Sequence, residues 1–365
     1  MGSGGMRAFE TPAPIPALPE DRTALRWLAS DSESGGVIGG GATGSAPGAT
    51  VVWRFGPAAG QVVEIALPRE SGLLVTAAAD TGRGVVLGTS NGLLRVTGDA
   101  AEWWDMFPGA KCTTTLTVEP SRVREYVAAL AVDVEANLWA AGSRRRSIGY
   151  DGFSGFTVLP TDPARWITEL LSKRFDRPYP RLLRWRAPFR AMAGDAAGPG
   201  VWVYGVRGDG RPDLMHVDPA MATVIPKADP DSSVPAGTAV PSLADPSITA
   251  DRQGRVWLAG DGFQGARLYR FEGGAFDDVT PPAALLEGRR FSQLVVGPGG
   301  ELYAATDGVG VLLLTDGTWA PHPIKESLPT VEGTELKPVS CMAIDRNSGY
   351  LWVGTDNNVL CWTPD

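Results

Sequence analysis

The sequence predicts an all-β fold, a seven-bladed β-propeller of four-stranded antiparallel blades. Two repeated features predict it: a short hairpin unit, and a strand that ends at a proline between one unit and the next. The clearest unit runs from Gly349 to Thr355 as GYLWVGT, and an alternating apolar run that ends at Asp345 precedes it. Alternation, an Asp-led turn and a Trp-bearing apolar run are together typical of a β-hairpin.

The same unit recurs along the chain at intervals of 46 to 63 residues. Its aromatic or aliphatic position is occupied in turn by Val37, Val86, Trp139, Trp202, Trp257, Tyr303 and Trp352. Because a repeat of this length accounts for nearly all 365 residues, we expect one propeller domain, residues 6–365, rather than the two or three domains that length alone suggests. Residues 1–5, MGSGG, look like a cloning remnant ahead of a natural start at Met6.

Strands that end at a proline are expected to close each blade. They end at Pro68, Pro108, Pro160, Pro226, Pro281 and Pro323, whereas the last unit reaches Asp365 after only its third strand. The segment RAFETP, Arg7 to Pro12, resembles such a closing strand but has no unit in front of it. We therefore expect this N-terminal strand to complete the last blade, which removes the sheet edges that an open array exposes.

The signature Ser-Ile-Thr-Ala-Asp251-x-x-Gly254-x-Val-Trp257-x-x-Gly260 carries a family resemblance. It is similar to the propeller repeat in the sensor regions of hybrid two-component regulators, and Trp352 to Thr355 is its closest copy. The resemblance implies the propeller fold and, in that family, recognition of carbohydrate ligands outside the cell. We interpret the repeated Asp and Trp residues as structural, since Asp caps turns and Trp fills the space between blades.

Composition agrees with a folded, turn-rich domain: 46 glycines, 30 prolines, 43% apolar and 20% charged residues. From Met6 onward there is no charged segment followed by an apolar signal core, and no run of 18 apolar residues. We therefore expect a cytoplasmic protein. The three cysteines are expected to be free thiols, because Cys341 and Cys361 would lie on non-adjacent strands of one blade.

Loops that do not repeat are where function is expected, and antiparallel blades divide their loops between two faces. The longest insertion, residues 161–190, lies between the third and fourth blades and should begin as a helix. Asp162 suits its N-cap, and Trp166 begins an apolar stripe at helical spacing. This stripe either docks on the propeller rim or forms a partner-binding groove or lid.

A basic sector coincides with this insertion. Residues 142–212 contain 13 Lys/Arg and 6 Asp/Glu, a net charge of +7 in a chain of net charge −8. Arginine forks suit carboxylates and phosphates, and a nearby Trp can stack on a ring. The candidate partner-binding residues are Arg144, Arg145, Arg146, Arg165, Trp166, Lys173, Arg174, Arg177, Arg181, Arg184, Trp185, Arg186, Arg207 and Arg211.

The basic sector leaves several interpretations open. Its arginines either bind an acidic or aromatic segment of a protein partner, or pair internally with neighbours such as Asp162, Glu169 and Asp176. A small anionic ligand or glycan at the mouth of the central channel is a further alternative. Nucleic acid is disfavoured, because the sequence pI is near 5.0 and no RNA- or DNA-binding module is recognisable.

Catalytic groups are scarce. The chain has only two histidines, His216 on an expected third strand and His322 on an expected fourth, and no Gly-x-Ser-x-Gly motif. The glycine-rich stretch from Gly35 to Gly48 lacks the Gly-Lys-Ser/Thr ending of a phosphate loop. The weak candidate metal ligands are Asp261, Asp307 and Asp356, each just after a second strand.

The sequence thus favours a non-catalytic recognition or scaffold module without a cofactor. The alternatives are a small-molecule or carbohydrate sensor that binds at the channel mouth and, third, an enzyme such as a metal-dependent lyase.

Overall fold

The structure is a computed structural model. It describes residues 23–43, 50–56, 62–68, 73–90, 92–104, 125–144, 154–159, 190–206, 211–217, 238–331, 335–356 and 358–362.

The described strands form antiparallel sheets in which each strand pairs with the next along the chain. The first sheet contains β1 (Thr23–Ser30), β2 (Val37–Thr43), β3 (Thr50–Phe55) and β4 (Val62–Ile65), and the next contains β5 (Val75–Asp80), β6 (Val85–Thr89), β7 (Gly92–Thr97) and β8 (Ala100–Trp104). Two three-stranded sheets follow, β9 (Glu125–Val132), β10 (Leu138–Arg144) and β11 (Ser154–Leu159), then β12 (Ala191–Gly194), β13 (Val201–Val206) and β14 (Pro212–Val217).

Two further four-stranded sheets come next along the chain. They contain β15 (Ala244–Ala250), β16 (Val256–Gly262), β17 (Gly265–Glu272) and β18 (Ala275–Asp278), then β19 (Phe291–Val296), β20 (Leu302–Thr306), β21 (Val311–Thr315) and β22 (Thr318–Pro321). After the small hairpin of β23 (Thr330–Val331) and β24 (Glu335–Leu336), the last sheet contains β25 (Cys341–Ile344), β26 (Leu351–Gly354) and β27 (Val359–Trp362). Helix is nearly absent from the described residues, which contain α1 (Ala283–Leu286) and one 3-10 turn, Pro323–Ser327. The chain is an all-β propeller with four-stranded antiparallel blades.

The prediction of four-stranded blades is confirmed for four sheets in the part of the chain that the structure describes. Four sheets have four strands, but the sheets of β9–β11, β12–β14 and β25–β27 have three. The segment that ends at Pro160 was expected to close its blade, yet β11 pairs directly with β10 and is therefore the third strand. The expected N-terminal strand at residues 7–12 and the helical insertion at residues 161–190 lie outside the described residues.

Buried apolar side chains join neighbouring sheets. Among the described residues six hydrophobic clusters do so, for example Ala79 and Leu93 with Val127 and Leu138 between the β5–β8 and β9–β11 sheets. The first sheet also packs against the last, since one cluster contains Leu28 and Phe55 together with Cys341 and Trp352. Apolar side chains on both faces of a strand are what this sheet-on-sheet stacking requires.

Strand pairing corrects the alignment of the first unit. Trp352 lies opposite Ala343, two residues before Asp345, and Trp257 lies opposite Thr249, two before Asp251. In the first sheet Ile38, not Val37, lies opposite Ala29, two before Asp31. Adjacent strand residues point to opposite faces, so a shift of one residue changes which side chain lies between the sheets. Since Val37 and Ile38 are both apolar, the sequence pattern does not distinguish them.

The prediction of free cysteines is confirmed for the two that the structure describes. Cys341 and Cys361 are both free thiols, and β26 separates the strands that carry them. Burial raises the pKa of each thiol to about 12. Neither side chain is therefore a reactive thiolate near neutral pH.

Candidate protein-binding face

Antiparallel strand order places the loops of each sheet on two opposite faces. One face, which we call the turn face, contains the links from first to second strands, such as residues 133–137 and 251–255. The opposite face, which we call the loop face, contains the links from second to third strands, such as residues 262–265 and 306–311. It also contains the connections from one sheet to the next, such as residues 279–290 and 322–340.

The turn face is built around the repeated Asp. The carboxylate of Asp251 is fully buried. Its Oδ1 accepts the backbone N–H groups of Gln253 at 2.9 Å and Arg255 at 3.0 Å, and its Oδ2 accepts the indole N–H of Trp257 at 3.1 Å. Asp133 and Trp139 repeat this indole bond at 2.9 Å. The six-residue Asp-to-Trp spacing therefore follows from one hydrogen bond, and the structural interpretation of both residues is confirmed in these two units.

Two third strands place a basic side chain against the repeated Asp. Arg54 Nε lies 2.7 Å from Asp31 Oδ2, and His216 Nε2 lies 2.9 Å from Asp195 Oδ2. Burial raises the pKa of the Asp195 carboxyl, but hydrogen bonds from His216 and from the Ala197 N–H outweigh it, so its pKa lies below the ordinary value. Sequence spacing gave no sign of the His216 pair, because strand pairing brings the two residues together.

His322 has a structural position as well. It was expected on a fourth strand, but it follows β22 and caps the 3-10 turn, where its Nδ1 accepts the Ile324 N–H at 3.2 Å. Its ring lies 5.5 Å from that of Tyr303 and 5.0 Å from that of Trp362. Burial lowers its pKa to about 4, so it is neutral near pH 7.

The predicted basic surface falls mostly outside the described residues. Arg144 ends β10, where its backbone lies opposite Glu125, and Arg211 is exposed immediately before β14. Both positions border links from a second to a third strand and so belong to the loop face. The convergence of the basic residues on one surface stays a prediction. The candidates outside the described residues are Arg145, Arg146, Arg165, Trp166, Lys173, Arg174, Arg177, Arg181, Arg184, Trp185, Arg186 and Arg207.

Two of the three candidate metal-binding carboxylates have protein partners on the loop face. Asp261 Oδ2 lies 3.2 Å from Arg290 Nη1, and Asp307 Oδ1 accepts the backbone N–H of Arg290 at 2.8 Å. Asp356 contributes its carbonyl oxygen, which accepts the Leu25 N–H at 3.0 Å. Within the described ranges no group of three or more metal-ligating side chains comes together. Asp261 and Asp307 thus converge, but on an arginine.

Sequence reasoning missed one loop-face residue. Phe263 occupies the tip of the hairpin between β16 and β17, and its side chain is fully exposed. The segment Gly262-Phe263-Gln264-Gly265 has glycines on both sides of a two-residue turn, which is a hairpin-tip pattern that the sequence does contain.

Comparisons with known proteins support the fold. No protein-family model matches the chain, and no curated protein matches it. Among solved structures, the extracellular domain of the hybrid two-component system BT4673 from B. thetaiotaomicron is similar, with a TM-score of 0.54 and 13% identity over 94% of this chain and 39% of that one. This chain therefore spans about two fifths of that domain.

Two more propellers align comparably. YCF48 bound to D1 peptide has a TM-score of 0.54 and 10% identity over 96% of this chain and 94% of that one. PorZ, a surface component of the type-IX secretion system of Porphyromonas gingivalis, has a TM-score of 0.54 and 14% identity over 93% of this chain and 46% of that one. Identities this low establish the fold and nothing finer. Together with the geometry, they define the class of this protein as a β-propeller.

Of the helices that the structure describes, none has the length and apolarity to cross a bilayer.

Proposed function

We propose that this propeller is a non-catalytic recognition module that binds an acidic or aromatic segment of a protein partner through its loop face. The observation that carries the proposal is a charge split: residues 142–212 carry a net charge of +7, whereas the whole chain carries a net charge of −8. Such a split attracts an acidic segment to one sector and repels it from the rest of the surface. YCF48, a propeller of similar fold, has been solved with a bound peptide.

Charge reversal tests the proposal. The probe is a random peptide library displayed on phage and selected on the full chain, and the affinities of the selected peptides are measured by fluorescence polarisation. We expect Arg144→Glu, Arg145→Glu and Arg146→Glu together to weaken binding at least tenfold without lowering the melting temperature, because the proposal assigns them to a binding surface and surface charges contribute little to folding. Unchanged affinity contradicts the proposal.

A matched control carries the same change of charge on the turn face. Arg83, Arg252 and Arg346 are exposed there, so their reversal to Glu alters net charge equally but not the proposed surface. An equal loss of binding in this control would show that net charge, rather than the loop face, governs the interaction.

Two features of the histidines support the non-catalytic part of the proposal. His216 lies against Asp195, and His322 is buried as a cap. The cytoplasmic location stays a prediction.

The alternative function, a small-molecule or carbohydrate sensor at the channel mouth, has the likeness to the two-component-system domain in its favour. Thermal stabilisation in a screen of glycans and metabolites, unaffected by the arginine reversals, would favour it.

We also propose that the ring has seven blades and that residues 7–12 close it by pairing with β27. The first and last sheets already touch: the Leu25 N–H donates to the Asp356 carbonyl at 3.0 Å, and the Arg346 N–H donates to Ser30 Oγ at 3.0 Å. Within the described residues β27 has a partner on one side, so its other edge can accept a strand.

Deletion of residues 1–13 tests the closure. We expect the melting temperature to fall and the backbone amides of residues 359–362 to exchange faster, because those at the free edge of β27 would lose their strand partner. Hydrogen exchange measured by mass spectrometry shows which residues lose protection and how far the loss extends along the chain. Protection of residues 359–362 that is the same in the deleted and full chains would contradict closure by this segment.

A further inference from the structure

His322 lies at the base of the loop-face connection 322–340, which links the β19–β22 sheet to the β25–β27 sheet. Its backbone N–H donates to the Val311 carbonyl at 2.9 Å, and its carbonyl accepts the Lys325 N–H at 3.0 Å. Its ring Nδ1 accepts the Ile324 N–H at 3.2 Å. His322 therefore joins β21 to the 3-10 turn through three hydrogen bonds, one of which uses the titratable ring.

The rest of the connection packs over the link between β20 and β21. The Cδ1 atoms of Leu328 and Leu336 lie 3.0 Å and 3.7 Å from where a Cβ on Gly310 would stand. Ile324 and Leu328 are buried in one hydrophobic cluster, against which Leu336 also packs. Because the turn and the connection beyond it share this cluster, displacement of the turn would also loosen the packing of the connection.

Protonation of the His322 ring conflicts with its surroundings in two ways. The residue is only 4% exposed, and its ring contacts those of Tyr303 and Trp362, so a charged imidazolium would lose most of its hydration. An imidazolium also has donors only, so a proton on Nδ1 would displace the Ile324 N–H, which is buried and would lose its partner. Burial lowers the pKa of His322 to about 4, in agreement with this geometry.

The neighbouring titratable groups do not offset the cost of a buried imidazolium. They are Glu301 and Tyr303 at the start of β20, Cys361 of β27 with Asp345 acting on its thiol, and Lys325 and Glu326 of the turn itself. Burial raises the pKa values of Tyr303 and Cys361, so both groups stay neutral in acid. Glu326 is exposed to water, and burial is the cause of the lowered pKa of His322. Acid therefore places an uncompensated charge on the ring as long as the turn stays closed.

We propose that His322 is an acid-sensitive latch: protonation of its ring releases the 3-10 turn and loosens the loop-face connection 322–340, while the neighbouring sheets stay folded. In the released turn the ring is hydrated and has its ordinary pKa of 6.5. Since the closed turn binds the proton more weakly, its stability is lost as the pH falls below that ordinary value. The two pKa values imply an opening equilibrium that increases about 30-fold from about pH 8 to about pH 5. The latch does not require the proposed protein partner.

Proton NMR of the imidazole Cε1–H signals tests the first step on the full chain. The sequence has only two histidines, so the spectrum contains two such signals, and His216→Asn assigns them by removing one. We expect the His322 signal to titrate with a pKa of about 4. An ordinary pKa near 6.5 would overturn the inference, because the closed turn would then accept the proton without cost.

Hydrogen exchange of residues 323–331 and 335–340, corrected for the intrinsic effect of pH, tests the release of the turn. We expect the opening of this segment to increase about 30-fold between about pH 8 and about pH 5. His322→Asn keeps a cap acceptor that does not titrate and should abolish the increase, whereas the matched control His216→Asn should retain it.

Three exchange results would overturn the inference. They are no acceleration in acid, the same acceleration in His322→Asn as in the original chain, and an acceleration spread evenly over all sheets, which would indicate global unfolding. The NMR titration needs no substitution at position 322, so it decides the first step even if His322→Asn prevents folding. None of these outcomes bears on the arginine reversals that test the proposed function.

Discussion

Trp139→Ala should lower the free energy of unfolding by about 3–5 kcal/mol, which is the usual cost of truncating a fully buried aromatic residue. Trp139 has no exposed surface and is among the largest fully buried side chains of the described residues. Its indole N–H donates to Asp133 Oδ2 at 2.9 Å. Truncation therefore leaves a cavity and also removes a hydrogen bond to a buried carboxylate.

The Asp133 carboxylate also connects two neighbouring sheets. Its Oδ2 also accepts the backbone N–H of Gly200, at 2.9 Å, from the sheet that follows. Loss of the indole should therefore loosen the junction of the β9–β11 and β12–β14 sheets as well as the interior of one sheet. Chemical denaturation followed by far-UV circular dichroism measures the change in unfolding free energy.

Trp139→Phe separates the two contributions. It keeps an aromatic ring but removes the N–H donor, so we expect a smaller loss, about 1–3 kcal/mol. Trp257→Ala should behave like Trp139→Ala, because its indole bonds Asp251 in the same way. A loss below about 1 kcal/mol in both alanine variants would contradict the structural role assigned to the repeated Trp.

Much of the fold could be predicted from the sequence because the Asp-to-Trp unit is local. In the units of Trp139 and Trp257, the turn and the hydrogen bond that spans it depend on residues six apart, so these copies are visible in the chain. Strand identity over residues 154–159 could not be predicted, because an apolar run that ends at a proline suits a third strand as well as a fourth. Only the pairing of Leu138 with Leu159 decides it.

The candidate site could be predicted less well, because local composition does not determine the direction of a side chain at a hairpin tip. Val309 and Phe263 are both apolar residues in links from a second to a third strand, yet one is buried and the other fully exposed. The pairs of Asp195 with His216 and of Asp261 with Arg290 likewise join residues that are 21 and 29 positions apart in the chain. Such contacts depend on the three-dimensional arrangement of the sheets.

Gly194→Ala should also lower the free energy of unfolding strongly, by about 3 kcal/mol, at the upper end of what overpacking costs. A Cβ at this position, the last residue of β12, would lie 1.9 Å from the Val132 carbonyl oxygen and 2.6 Å from its carbon. Both are backbone atoms, so no side-chain rotation relieves the clash. The two sheets would have to separate.

Separation is opposed by hydrogen bonds that cross the same junction. The Val134 N–H donates to the Asp195 carbonyl at 3.0 Å, and the Gly200 N–H donates to Asp133. Since both must lengthen to admit the methyl group, the substitution combines steric strain with weakened backbone bonds. Denaturant unfolding measures the loss, and hydrogen exchange should show it at residues 132–134 and 194–200.

Gly198→Ala is the matched control in the same turn. A Cβ there would find its nearest neighbour, Asp195 Oδ2, at 3.7 Å, which is ordinary contact. We expect a change within about 0.5 kcal/mol, since alanine also restricts the unfolded chain slightly. Equal stability of the two variants would mean that the sheets do not approach each other as closely as their backbones indicate. A large loss confined to Gly194→Ala would instead show that the β9–β11 and β12–β14 backbones meet at this junction as closely as the structure places them.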